Sequence, residues 1–210
     1  MELTRNFRLF PFFCYSSVMQ VLESVKPNLA FSSLLKRYTL EEFLELPEPD
    51  DGSYYELIDG VLKLVPPSKN EHNETVAVLC RSLTLYIAEY DDPERISFPG
   101  ASIFFEDTWG TYLEPNMMYR NRRTSAYIVF ECVSENTAIY DHTTKADTYL
   151  ALGVKELWLI DLDEEIIEIR NADAQDGILF WQKRFYAKGE TAKSKVLEDW
   201  QVAVNEVFAK

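Results

Sequence analysis

Histidine and cysteine are scarce in this chain. Its 210 residues include two histidines, His72 and His142, and three cysteines, Cys14, Cys80 and Cys132. Two histidines exclude a histidine-rich zinc site, so any metal site must use oxygen ligands, which favour magnesium or manganese. The odd number of cysteines, with no C-x-x-C, fits a reducing compartment in which thiols pack as small apolar groups. We therefore expect a cytoplasmic protein.

Positive charge is scarce as well, with 21 lysines and arginines against 35 acidic residues and a net charge of -14. Such a chain is repelled by nucleic acid at long range, which argues against a protein that coats DNA generally. It leaves open an enzyme that meets DNA through one local basic surface. Apolar residues make up 47% of the chain, which is ordinary for a globular domain with a sizeable core.

Long apolar runs are absent, since no stretch reaches the eighteen or so residues of a membrane helix. The stretch L-F-P-F-F-C-Y-S-S-V, which follows Arg5 and Arg8, superficially resembles the apolar region of a signal peptide. It contains a proline and lacks a small-residue cleavage site, so we expect an extension instead. Residues 1–36 show no clean period and form this N-terminal extension, within which Met19 is an alternative start. Residues 37–208 form one domain.

The domain begins with a short helix and a hairpin. Thr39 and Glu42 have the spacing of a capping box, and so do Ser68 and Glu71 before a longer helix that ends near residues 91–93. Between them, the Asp59–Gly60 pair joins two alternating apolar segments, which predicts a β-hairpin. Residues 96–105 read as a further strand.

The centre of the chain predicts a parallel pair of strands. Residues 126–133 are a continuous apolar run, typical of a strand covered on both faces. A helix over 141–152 with Gly153 at its end and a buried strand over 157–160 follow, so this βαβ unit makes the two strands parallel. Residues 165–170 and 178–186 alternate as an antiparallel extension, and 196–208 close the domain as a short strand or helix. The fold class is therefore α/β.

Glu131 carries the functional prediction, because it interrupts a segment that is otherwise apolar. A carboxylate in such a place costs several kcal/mol unless a cation, a metal ion or a proton compensates it. Asp141, Lys145 and Tyr149 share one face of the next helix, which packs back towards the strand, so Lys145 can meet Glu131. Asn116 begins the preceding strand. Asn116, Glu131 and Lys145 are thus the candidate site, in the pattern of a nuclease-like metal site.

Plainer interpretations compete with this one. Asp141 and Lys145 are also at the spacing of a surface ion pair, and Glu131 with Lys145 could be a structural salt bridge. Glu56 in the hairpin is in a position to point into the same cleft, but alternation alone favours a solvated residue. His72 lies at a helix start, where a capping or surface role is expected. Tyr149 and Trp158 are expected in the core. Ser134 and Thr137 are expected to form hydrogen bonds with the local backbone.

Several segments together resemble a known family. They are Y-E-L-I-D-G in the hairpin, E-C-V-S-E-N-T, D-H-T-T-K-A-D-T-Y and G-V-K-E-L-W-L-I-D in the centre, and S-K-V-L-E-D-W-Q-V-A-V-N-E-V-F near the end. The chain resembles, over residues 37–208, the Uma-two family of bacterial restriction endonucleases, a branch of the PD-(D/E)xK nuclease superfamily. The resemblance implies a restriction-endonuclease-like core, in which helices flank a mixed β-sheet, with an N-terminal helix and β-hairpin.

The resemblance also implies site residues. Glu131 matches the acidic metal ligand, and Lys145 replaces the superfamily lysine, whose usual place two residues after that acid holds Val133 here. Glu56 matches an acid of the hairpin. The implied activity is a Mg²⁺-dependent or Mn²⁺-dependent DNA endonuclease that hydrolyses phosphodiester bonds. By analogy with superfamily nucleases that pair subunits, a homodimer is a further expectation.

One position departs from the family pattern, because this chain has Pro115 and Asn116 where the family usually has Pro-Asp. An amide oxygen can touch a metal ion but brings no charge, so the site should bind Mg²⁺ more weakly. The sequence thus supports three hypotheses. The first is an active endonuclease, and the second is a catalytically inactive module that binds DNA or a protein partner. The third is a structural protein in which Glu131 and Lys145 only form an ion pair.

Overall fold

The structure is a computed structural model that describes residues 36–90, 95–97, 101–105, 110–120, 126–134 and 137–209. The expected N-terminal extension and the signal-like stretch lie outside these residues, apart from Lys36. Within the described residues, no helix combines the length and apolar character that a membrane crossing requires.

The first elements follow local sequence chemistry. Helix α1 (Leu40–Leu44) begins after Thr39, whose side chain accepts from the Glu42 amide while Glu42 bonds back, so the predicted capping box is confirmed. Strands β1 (Tyr54–Ile58) and β2 (Val61–Val65) form the predicted hairpin. Its turn has positive φ at both Asp59 and Gly60, the conformation that D-G turns favour.

Helix α2 (Asn70–Glu89) differs at its start from the prediction. Its N-cap is Lys69, with no side-chain cap, so the capping box expected from Ser68 and Glu71 is wrong.

The strand expected over 96–105 is two strands, β3 (Arg95–Ser97) and β4 (Ile103–Phe105), which belong to different sheets. These two strands pair with different neighbours, a choice that spacing along the chain does not encode.

The main sheet has six strands in the order β10-β9-β8-β7-β6-β3. Its members not yet given are β6 (Met117–Arg120), β7 (Ala126–Val133), β8 (Glu156–Asp161), β9 (Ile166–Gln175) and β10 (Ile178–Tyr186). β7 and β8 are parallel, as the βαβ pattern predicts, and the other pairs are antiparallel. A smaller sheet, β2-β1-β5-β4, includes β5 (Thr111–Leu113). The α/β class and the mixed sheet are confirmed.

The connection between β7 and β8 is not one regular helix. Helix α3 (Ala138–Tyr140) leads into a π-helical turn, Asp141–Lys145, and then into α4 (Ala146–Ala151). We call Asp141–Lys145 the π-turn. The predicted helix over 141–152 is therefore correct in place but begins earlier and changes its hydrogen-bond register. Gly153 ends it with φ of 84°, in the left-handed region that glycine adopts at low cost.

The two faces of the main sheet carry separate cores, because side chains alternate along a strand. On one face, Phe130, Trp158 and Trp200 pack with α2 and with the C-terminal elements β11 (Thr191–Lys193), β12 (Gln201–Ala203) and α5 (Val204–Val207). On the other face, Val129 and Leu157 share a core with Tyr149 of α4. Glu131 follows Val129 by two residues on β7, so its side chain lies on the same face, which α4 covers.

Candidate functional site: a buried lysine between two carboxylates

Lys145 is the centre of the site. Its Nζ lies 2.8 Å from Glu131 Oε1 and 3.0 Å from Glu56 Oε1. All three side chains are buried, with 3% exposure for Lys145, 4% for Glu131 and 0% for Glu56. The sheet strand β7, the hairpin strand β1 and the π-turn each supply one group. The predicted meeting of Lys145 and Glu131 is therefore observed, and Glu56 joins them.

The expectation that Glu56 is solvated is wrong. Strand β1 is covered on both faces, since Leu57 packs in a small core with Leu40 and Phe43 while Glu56 faces Lys145. Alternation predicts a solvated side chain only when one face of a strand meets water. The interpretation of Asp141 and Lys145 as a surface ion pair is wrong too, because their exposures are 5% and 3%.

Asn116 lies beside this group, immediately before the neighbouring strand β6. It directly precedes Met117, which pairs with Phe130, so Asn116 stands across from Glu131. Its Oδ1 accepts a hydrogen bond of 2.7 Å from the Cys132 amide. A surface pocket borders Asn116 and is also lined by residues of the hairpin region and β5 end: Gly52, Tyr54, Pro67, Ser68 and Glu114. Solvent therefore reaches the amide side of the site.

Two residues in the site carry roles that the sequence analysis missed. Tyr149, expected only as core, donates a hydrogen bond of 2.5 Å to Glu131 Oε1. The spacing D-x-x-x-K-x-x-x-Y contained this signal, because residues four apart on a helix share a face. The expected surface or capping role of His72 is wrong, since its ring is partly buried and bonds to the Cys132 carbonyl. Its early position in α2 gave no sign of this contact.

The site contains more buried acidic groups than basic ones. Burial opposes the charge of Lys145, but Glu131 and Glu56 hold its pKa well above the ordinary value, so the ammonium persists at neutral pH. Burial raises the pKa of Glu56 despite Lys145, and burial raises the pKa of Asp141 to about 7. Two buried carboxyl groups thus contact one ammonium, and a third, Asp141, interacts with it electrostatically, an arrangement that a further cation would stabilise.

Two buried polar atoms at the site, Glu56 Oε2 and the Tyr140 hydroxyl, make no hydrogen bond of ordinary geometry with the described residues, although the two side chains lie close enough to interact. Burial raises the pKa of Tyr140 far above its ordinary value, and the charge of Glu56 adds to this. An orphaned carboxylate oxygen costs free energy unless a ligand or water satisfies it. The free oxygen, the amide oxygen of Asn116 and the Glu131 carboxylate are donors that suit Mg²⁺ or Mn²⁺.

The donors therefore fit a divalent ion in their chemistry and charge. Their arrangement is less complete. Among the described residues, no three histidine, cysteine, aspartate or glutamate side chains lie close enough together to hold a metal ion. An ion held here would rely on fewer protein ligands, completed by water, as is usual for Mg²⁺.

Comparison with known proteins identifies the family. Residues 40–205 match the Uma2 family, described as "Putative restriction endonuclease". The chain belongs to the Uma2 family. Among curated proteins, no sequence matches it. The buried Glu56, Glu131 and Lys145 thus lie within the Uma2 domain.

A solved structure shares the Uma2 fold. The crystal structure of a protein described as a putative nuclease belonging to DUF820, from Anabaena variabilis ATCC 29413, superposes with a TM-score of 0.63. The identity is 15%, and the match covers 81% of this chain and 97% of that chain. At this identity the likeness shows the fold, and the restriction-endonuclease-like core inferred from the sequence is confirmed.

Proposed function

We propose that this Uma2 protein is a metal-dependent endonuclease that hydrolyses phosphodiester bonds in DNA. The observation that carries the proposal is the contact of one buried ammonium, Lys145 Nζ, with both Glu131 and Glu56 in an acid-rich site. Family membership supports the reaction class, and the excess of buried acid supports a cation. DNA is the proposed substrate, met through a local surface because the chain is strongly acidic overall.

Glu131 and Asn116 would hold Mg²⁺ or Mn²⁺, with the free oxygen of Glu56 close by. Such an ion, when bound, would supply polarisation of the phosphate and a lower pKa of a bound water. Lys145 remains protonated because Glu131 and Glu56 stabilise its charge. It therefore acts as an electrostatic group that stabilises the negative charge developing on the phosphate or the attacking hydroxide, rather than as a proton acceptor. Tyr149 fixes the orientation of Glu131 through their hydrogen bond.

A second candidate function is an inactive nuclease-fold module that binds DNA or a protein partner. Asn116 favours it, because the residue brings no charge and its Oδ1 already accepts from the Cys132 amide. A site with one carboxylate fewer binds Mg²⁺ more weakly. In this case Lys145 would serve only to neutralise Glu131 and Glu56. We also propose that the protein is a cytoplasmic homodimer.

The test is a calorimetric titration with Mg²⁺ and Mn²⁺ alongside a plasmid-nicking assay. Asn116→Asp adds a charged ligand, so metal affinity should rise and metal-dependent cleavage should appear or increase. Glu131→Ala in that background should abolish both. Asn205→Asp, which adds the same charge at an exposed position away from the site, is the control. If Asn116→Asp neither binds metal better nor cleaves, the endonuclease proposal is wrong. A salt-sensitive DNA mobility shift would then favour the binding module.

A further inference from the structure

We propose that Arg170 is a positioning residue, whose guanidinium holds the π-turn in the register that directs Lys145 at Glu131 and Glu56. Its effect on cleavage rests on the proposed function, whereas its effect on Lys145 does not. Arg170 lies on β9, two strands away from Glu131 on β7. It touches neither carboxylate of the site in the contacts that the structure shows, so it acts through the backbone.

Arg170 donates a hydrogen bond to a backbone carbonyl of the π-turn. In an α-helix the amide of Ala146 would donate to the carbonyl of His142, four residues earlier. Here the Ala146 amide donates to the Thr143 carbonyl instead. Arg170 Nη1 donates to the His142 carbonyl at 2.8 Å. Single π-helical turns are frequent at functional sites, and this one carries the buried Asp141 and Lys145.

Arg170 is itself held firmly. Its side chain is 2% exposed, and its Nε donates to Glu168 Oε1 at 2.7 Å on the same strand. Its Nη2 lies 2.9 Å from His142 Nδ1, which also lies 3.0 Å from Glu168 Oε2. Nδ1 cannot accept from Arg170 and donate to Glu168 in the same protonation state. The bond to the His142 carbonyl does not depend on that state, so it is the constant restraint.

The neighbouring strand adds a second restraint. Trp181 on β10 donates its Nε1 hydrogen to the Ala146 carbonyl at 3.0 Å. Arg170 and Trp181 thus hold the two ends of the segment 142–146 from the rigid sheet. Without Arg170, the His142 carbonyl loses this donor, which favours the return of the Ala146 amide to an α-helical bond. That change of register alters the π-turn between Asp141 and Lys145 and loosens the lysine from its carboxylates.

The test measures how fast an amine-reactive reagent labels Lys145, read lysine by lysine by mass spectrometry. The exposed Lys155 and Lys193 serve as internal standards. Because a charged hydrogen bond to a buried acceptor is lost, Arg170→Gln should raise labelling of Lys145 about tenfold or more. Arg170→Lys restores a charge beside Glu168 but not the fork that also reaches His142, so labelling should stay raised. It is also the milder variant, and it decides the matter if Arg170→Gln does not fold.

The matched control is Glu156→Gln, on the opposite face of the main sheet. Glu156 is fully buried and accepts from Trp158 Nε1, Asn171 Nδ2, Ser194 Oγ and the Lys195 amide, so its loss destabilises the domain without contact to the π-turn. When Glu156→Gln and Arg170→Gln are compared at equal unfolding free energy, labelling of Lys145 in Glu156→Gln should match the wild type. An equal rise in Glu156→Gln, no rise in Arg170→Gln, or full rescue by Arg170→Lys would overturn the proposal.

The nicking assay separates this inference from the proposed function. If the protein cleaves DNA, Arg170→Gln should lower kcat with little change in KM, because the guanidinium places Lys145 and does not bind substrate. A fall confined to KM contradicts the positioning role. If neither the wild type nor Asn116→Asp cleaves, the endonuclease proposal fails, and the labelling of Lys145 still decides whether Arg170 positions it.

Discussion

Removal of the Lys145 ammonium should cost this domain a large part of its stability. Lys145→Met keeps a side chain of similar length but leaves Glu131 and Glu56 buried without their shared cation. Breaking a buried ion pair by removing one partner typically costs about 3–5 kcal/mol. The upper part of that range is expected here, since two carboxylates with contacts of 2.8 and 3.0 Å lose one partner.

The loss should depend on pH. In Lys145→Met one of the two carboxylates relieves the repulsion by taking up a proton, so the pKa of the pair rises in the folded state. A group whose pKa is higher in the folded state than in the unfolded state stabilises the fold at low pH. Its contribution is complete below the unfolded-state pKa and is lost as pH rises through the folded-state pKa. The deficit against wild type should therefore be small near pH 5 and full near pH 8, by about 1.4 kcal/mol for each unit of pKa shift.

The assay is urea denaturation at both pH values, with Lys183→Met as the control. Lys183 is half exposed and lies 3.4 Å from Glu168, so its loss should cost less than about 1 kcal/mol at either pH. A cost for Lys145→Met below that of the control at pH 8, or a larger deficit at pH 5 than at pH 8, would refute the reasoning.

Three further predictions concern the surroundings of Lys145. Burial raises the pKa of Asp141 from the ordinary 3.8 to about 7, so the wild type loses stability as pH rises from about 4 to about 7. Asp141→Asn lacks this loss, and its stability relative to wild type should therefore rise over the same range and level off at about 4 kcal/mol in urea denaturation. Tyr149→Phe should lower the unfolding free energy by about 1–3 kcal/mol, since Glu131 loses a buried donor; an unchanged value would contradict the role of this bond. A chain that starts at Met19 should keep a cooperative melt within a few degrees of full length, and its collapse would show that the extension belongs to the core.

The sequence determined the features that local chemistry and periodicity encode. The capping box of Thr39 and Glu42, the turn at Asp59–Gly60 and the parallel pairing of β7 and β8 each follow from residues close together in the chain. The same holds for the meeting of Lys145 and Glu131, because a βαβ unit returns its helix to the strand that it leaves. One acid in an apolar strand was enough to single out the candidate pair.

Tertiary structure alone decided how Glu56 and Asn116 relate to that pair. Glu56 lies 75 residues before Glu131, in a hairpin whose second face is closed by Lys145, and alternation carries no information about what covers a strand. The register of β6 against β7 sets Asn116 across from Glu131 and gives its amide oxygen to the Cys132 N–H. The π-turn and its Arg170 contact depend on strand order in the sheet. Burial and long-range pairing are properties of the assembled chain, which is why the third member of the site could not be placed from spacing.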